Sequence, residues 1–162
     1  MAIYMEYEGI NGNVTAAGYE GMIPLDFFTL RSSREITMKT GRQANREMSL
    51  PKLGVIETGK RFDRSFPGLI QEAFAGGAGK TVRFHFLRTG EPQLQEYMSF
   101  TFCHCLPVFY RQAATSREAG IPAERLYLSY CSVEFSYTAS GENHRPGNPV
   151  RCGYDLATAA SM

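Results

Sequence analysis

Apolar and polar residues alternate with a period of two along most of this chain, and a helical period occurs once. Over residues 81–87, Val82, Phe84 and Phe86 face one way while Arg83 and His85 face the other, the pattern of a half-buried strand. The next strand runs from 95 to about 110, with Met98, Phe100 and Phe102 opposing Tyr97, Ser99, Thr101 and Cys103. A third long strand covers 125–138, placing Tyr127, Ser129, Cys131, Val133, Phe135 and Tyr137 on one face. Shorter strands are expected at 3–8, 22–30, about 53–58 and 150–157. In the second of these, Ile23, Leu25 and Phe27 alternate with Pro24 and Asp26; Pro24 favours a sheet edge. Residues 111–123 read as a loop or a short helix.

The helix begins near Ser65, a good N-cap because its hydroxyl can accept from a free amide of the first turn. Pro67 falls where a missing N–H costs little. Phe66, Leu69, Ile70, Ala73 and Phe74 then form one apolar stripe, and Gly76 and Gly77 end it. Between 31 and 61 the apolar periodicity fades. Eight basic residues (Arg31, Arg34, Lys39, Arg42, Arg46, Lys52, Lys60, Arg61) stand there against three acids (Glu35, Glu47, Glu57). The expected form is a long hairpin-like extension with Thr40 and Gly41 near its tip, and so long a polar connection is often functional. The fold class is mostly β (α+β): a small closed β-barrel of antiparallel-rich strands with one flanking helix and a long extended hairpin loop.

Composition narrows the partners. The 162 residues suit a single domain over 1–162. With 20% charged residues and a net charge of +1, no global field points to nucleic acid. No run reaches the 18 apolar residues of a membrane span, so no membrane insertion is expected. The first residues carry Glu6 and Glu8 where a signal peptide would be apolar; folding in the cytosol is the expectation, with any export by a dedicated machine. The four cysteines, Cys103, Cys105, Cys131 and Cys152, contain no C-x-x-C pair and read as buried structural thiols.

Candidate chemistry is thin. The run from Gly76 to Thr81 suggests a phosphate loop, but Phe74 stands where the motif requires Gly. A helix also precedes the loop and a strand follows, the reverse of the required order, so no helix N-terminus faces a phosphate. His85, His104 and His144 are dispersed, and no nucleophile elbow occurs. No enzyme, metal or cofactor reading finds a residue set, and the arginines of the extension are not interleaved with aromatics as in nucleic-acid binders.

Four segments in order resemble one family. Lys60-x-Phe62-Asp63-x-Ser65-x-Pro67-x-Leu69 is similar to the start of the helix in the Hcp (haemolysin-coregulated protein) family, the tube proteins of bacterial type VI secretion. Glu96-Tyr97-Met98-Ser99-Phe100-Thr101-Phe102 resembles the family's "E-Y" strand. Val133-Glu134-Phe135-Ser136-Tyr137 resembles its penultimate strand, and Gly153-Tyr154-Asp155-Leu156 its ending. Order and spacing agree over roughly 50–156. The resemblance implies a structural, non-catalytic protomer that assembles into hexameric rings stacked as a tube. A contracting sheath expels that tube with its spike, and the ring lumen carries some small effector proteins. Assembly would occur in the bacterial cytoplasm and secretion would need no signal peptide. A dedicated effector carrier or chaperone, and a phage-like tail-tube protein, are the alternatives. On this reading Lys39, Thr40, Gly41, Arg42 and Asn45 contact the next ring or a neighbour, and Thr29 faces the lumen.

Overall fold

In the computed structural model, which describes residues 1–36, 49–89, 94–116, 123–140 and 146–162, the alternating segments pair into one bent, antiparallel sheet. The central strand is the longest, β8 (Leu94–Ala113). On one side it pairs with β7 (Lys80–Thr89), which pairs with β1 (Ala2–Tyr7), which pairs with β2 (Ile23–Leu25). On the other side its two halves take different partners. The first half carries β10 (Ser132–Ser140), then β11 (Pro146–Asp155) and β12 (Ala160–Ser161). The second half carries β9 (Ala123–Ser129), then β6 (Ile56–Arg61) and β3 (Phe27–Thr29). A separate two-stranded ladder joins β4 (Ser32–Ser33) to β5 (Lys52–Leu53).

Four expectations need correction. Residues 22–30 form two short strands, β2 and β3, broken at Asp26, whose amide donates to the Gly59 carbonyl at 2.8 Å. Pro24 does lie at an edge, opposite Tyr4 in β2. Residues 125–138 likewise form two strands, broken at Tyr130 and Cys131. The third correction concerns the barrel: among the described residues no sheet closes on itself. The free ends of the path, β2 and β3, are two halves of one bent segment, so covalent chain joins them and no ladder does. The loop or helix expected over 111–123 is strand as far as Ala113 and again from Ala123.

The core lies inside the bend. Met5, Ile23, Ile56, Val82, Phe84, Phe102, Leu126 and Leu128 are fully or almost fully buried. The half-buried Phe28 packs against this cluster, its ring 4.8 Å from Phe84, 5.3 Å from Phe86 and 5.4 Å from Phe100. Helix α1 (Phe66–Ala75) covers one opening and inserts Leu69. The apolar stripe is only partly used, because Phe74 is 81% exposed. At about 100° per residue, Phe74 lies about 140° around the helix from Leu69, too far to share its burial. Ser65 also departs from expectation. It makes no side-chain cap bond; its hydroxyl donates to Asp63 Oδ1 instead.

Candidate assembly surfaces

Lys39, Thr40, Gly41, Arg42 and Asn45 lie outside the described residues. The base of their segment is hairpin-like: Ser32 pairs with Leu53 and Ser33 with Lys52. Beyond that ladder, the Glu35 amide donates to Ser49 Oγ at 3.0 Å, and Lys52 and Glu35 form an ion pair.

Thr29 ends β3, half-buried, on the face opposite Phe28. It heads a cross-strand row that continues through Glu57 and Tyr127 to Phe109. The row is tied together: Tyr127 donates its hydroxyl to Glu57 Oε1 at 2.9 Å, and the Tyr127 and Phe109 rings meet edge-on at 5.3 Å. Arg125 donates from Nη1 to the same Glu57 oxygen at 3.2 Å and lies 5.5 Å from the Phe27 ring centre. Phe27 in turn rests on Gly59. The outer side of β3, β6 and β9 is therefore an ordered polar and aromatic surface that includes Thr29.

A second surface follows from the sheet outrunning its cover. Three core-facing rows cross β7, β8, β10 and β11: Phe86, Met98, Tyr137, Val150; Phe84, Phe100, Phe135, Cys152; and Val82, Phe102, Val133, Tyr154. Each begins buried at β7. The first ends with Tyr137 45% and Val150 66% exposed, and the second ends at an exposed Cys152. None of these twelve side chains is charged. The wing of β10 and β11 thus presents an apolar face with nothing from this chain's described residues over its outer end. Its opposite side is polar, where Glu96, Ser99, Thr101, Glu134, Ser136 and Arg151 line an open groove. On that side His85 Nδ1 lies 2.6 Å from Glu96 Oε2. Burial alone would raise the Glu96 pKa; hydrogen bonds from His85 and Ser99 and the His85 charge outweigh it, and the pKa falls below its ordinary value.

The helix-start motif serves the interior. Lys60 is 2% exposed, and its Nζ lies 2.7 Å from Glu124 Oε2, 2.9 Å from Asp63 Oδ1 and 3.1 Å from the Arg61 carbonyl. Tyr110 donates to Glu124 Oε2 at 2.7 Å. Burial, then that bond to a carboxylate, pushes the Tyr110 pKa well up, so it stays a donor. The Asp63 carboxylate also accepts from the Ser65 amide at 3.0 Å. Sequence reasoning missed Glu124 and Tyr110, which reach this point from β9 and β8. The cysteine expectation holds for one residue only. Cys105 is buried, Cys103 half-buried, and Cys131 and Cys152 are exposed, because the last two lie at a bend and on the uncovered wing. Among the described residues no group of three or more His, Cys, Asp or Glu is placed to hold a metal ion, and no helix is long and apolar enough to cross a membrane.

Residues 4–137 match the family model described as "Type VI secretion system effector, Hcp". Among solved structures, a type six secretion system protein superposes with a TM-score of 0.91 at 18% identity, covering 99% of both chains. Hcp1 from Salmonella typhimurium has a TM-score of 0.77 at 15% identity, covering 99% of this chain and 98% of its own. A type VI secretion system effector from Yersinia pestis has a TM-score of 0.64 at 15% identity over 94% and 98% of the two chains. At these identities the likeness is one of fold. A comparison with the curated proteins finds no match.

Proposed function

From the premise that this chain belongs to the Hcp family of type VI secretion tube proteins, we propose that its protomers close side by side into hexameric rings that stack into an exported tube. The observation that carries this reading is the uncovered wing. An exposed apolar sheet face of this kind is a surface for a partner. A heterologous contact that closes on itself makes a ring, and a neighbouring protomer is the partner that the family's self-assembly supplies. In the ring, the row from Thr29 to Phe109 faces the lumen, where its mixture of hydroxyl, carboxylate, guanidinium and aromatic groups offers small effector proteins varied contacts. The extension bearing Lys39, Thr40, Gly41, Arg42 and Asn45 reaches the next ring. The role is structural and non-catalytic. Assembly takes place in the bacterial cytoplasm, and release occurs with the spike through the sheathed apparatus, without a signal peptide.

The test is sedimentation velocity with electron microscopy of concentrated protein, applied to the native chain and to Tyr137→Glu with Val150→Asp. Both positions are exposed in the protomer, so the variant keeps its fold and its circular dichroism. Six-membered rings for the native chain and a folded monomer for the variant are expected. A native chain that stays monomeric up to millimolar concentration and gives no rings in micrographs overturns the tube reading. Intact rings from the variant overturn the wing as the contact.

A further inference from the structure

We propose that Cys103 and Cys131 are a redox pair, which forms an intramolecular disulfide across the bend between the two arms of the sheet. The two residues are placed by the way both strands turn there. On β8, Phe102 and Cys105 face the core, leaving Cys103 and His104 between them. On the facing chain, Tyr130 and Val133 face the core, leaving Cys131 and Ser132. Strict alternation allows one outward residue between two inward ones; here each strand has two. His104 accommodates this with a positive φ of 54°. Beneath it the Phe102 and Tyr130 rings meet at 4.8 Å, so the thiols of Cys103 and Cys131 are turned to the other side.

Their separation suits a bridge. Ser132 pairs directly with Cys103, and the Cys131 amide donates to the Cys103 carbonyl at 3.0 Å. With standard bond lengths and angles, that one bond keeps the two Cα atoms within roughly 6.5 Å of each other, inside the roughly 4.4–6.8 Å range of disulfides. The other two cysteines do not compete. Cys105 is buried, and its thiol is pushed up to about 12 by burial, then by its neighbour Cys103 and, more weakly, by Cys131; it stays protonated and inert. Cys152 pairs with Phe135, in a row of the opposite face.

The oxidant is a low-molecular-weight disulfide of the glutathione type. The exposed Cys131 loses its proton and attacks one sulfur, forming a mixed disulfide and releasing one thiolate. Cys103 then loses its proton and displaces the second small thiolate. Two protein thiols become one disulfide, and one small disulfide becomes two thiols. The bond ties the part of β8 that carries the wing to the junction of β9 with β10. In a reducing cytosol the thiols persist, and outside the cell they are oxidised; this last consequence alone rests on the tube reading.

The chemistry needs a single protomer, so its test is independent of ring formation. The reduced full chain is incubated with oxidised glutathione at neutral pH, the remaining thiols are alkylated, and peptides are mapped without reduction. A peptide linking Cys103 to Cys131, alkylated Cys105, and a thermal midpoint raised by about 5–15 °C and reversed by dithiothreitol are expected. Cys103→Ser should instead hold a stable glutathione on Cys131. Glutathione retained on both Cys103 and Cys131, or a bridge to Cys105, Cys152 or a second chain, overturns the proposal.

Discussion

Replacing Lys60 by Ala should damage this fold more than any change at the exposed surface. The Nζ is the shared cation of two carboxylates, 2.7 Å from Glu124 and 2.9 Å from Asp63. The three side chains are at most 5% exposed. Truncation leaves two buried anions facing each other with no cation between them. Breaking a buried pair by removing one partner costs about 3–5 kcal/mol. The upper half of that range applies, since two anions lose the same partner and the Arg61 carbonyl loses a donor. A domain of this size is stable by about 5–15 kcal/mol, so a large share of the margin goes. At about 2–4 °C per kcal/mol, the thermal midpoint falls by roughly 8–20 °C.

Urea unfolding at neutral pH, followed by circular dichroism, measures this. The midpoint should move with the slope unchanged, which marks a change of stability without a change of unfolded surface. A double-mutant cycle of Lys60→Met with Glu124→Gln isolates the coupling, and the pair should cost clearly less than the sum of its singles. A loss below about 1 kcal/mol for Lys60→Ala, or singles that add within about 0.5 kcal/mol, refutes the reasoning. Either outcome means that the cluster is solvated in solution.

Asp63 predicts an acid limb. Burial alone would raise its pKa, but hydrogen bonds from Ser65 and Lys60 and the Lys60 charge outweigh it, and the folded value lies below the ordinary 3.8. A depressed folded pKa gives stability that is complete above the unfolded value and is lost as pH falls through the folded one. The urea midpoint of the native chain should therefore drop as pH is lowered below about 4, and Asp63→Asn should flatten that limb; equal slopes would count against the bond set. Gly59→Ala tests the outer face. A Cβ there would stand 2.1 Å from Phe27 Cε1, so the ring must leave its place beside Arg125, at about 1–3 kcal/mol. Adding Phe27→Ala should recover part of that loss, and an unaltered melting temperature for Gly59→Ala alone would show that the ring does not rest there.

The long strands were legible because one buried face imposes a strict period of two, as Val82, Phe84 and Phe86 show. The breaks were not legible, and the reason is local. Tyr127 and Val133 fall on the same parity in the sequence, yet Tyr127 lies on the outer row with Thr29 and Val133 faces the core. Two successive outward residues, Cys131 and Ser132, shift the phase, and the apolar residues on both sides hide that shift. The helix start was found, but with the wrong role for its residues. Ser65 and Asp63 follow the local pattern of a cap, while their partner Lys60 is committed to Glu124 on β9. Nothing local in the sequence signals a contact made so far along the chain.

The same cluster bears on which positions of this fold can change. Identity to the three solved structures named above is only 15–18%, yet the family model matches residues 4–137. Apolar core positions accept other side chains of similar volume at modest cost, so Leu126 or Ile56 could be exchanged with little consequence for the fold. The cluster accepts no such step. Changing Lys60, Asp63 or Glu124 alone strands a buried charge, and a neutral replacement of the whole group requires several substitutions at once. Each single intermediate loses several kcal/mol on the way. A cluster of buried charge is therefore harder to change by single substitutions than the apolar positions around it. The proposed assembly surface obeys the opposite rule, because the exposed Val150 and Tyr137 on the wing have no buried charge to strand and can change together with whatever faces them.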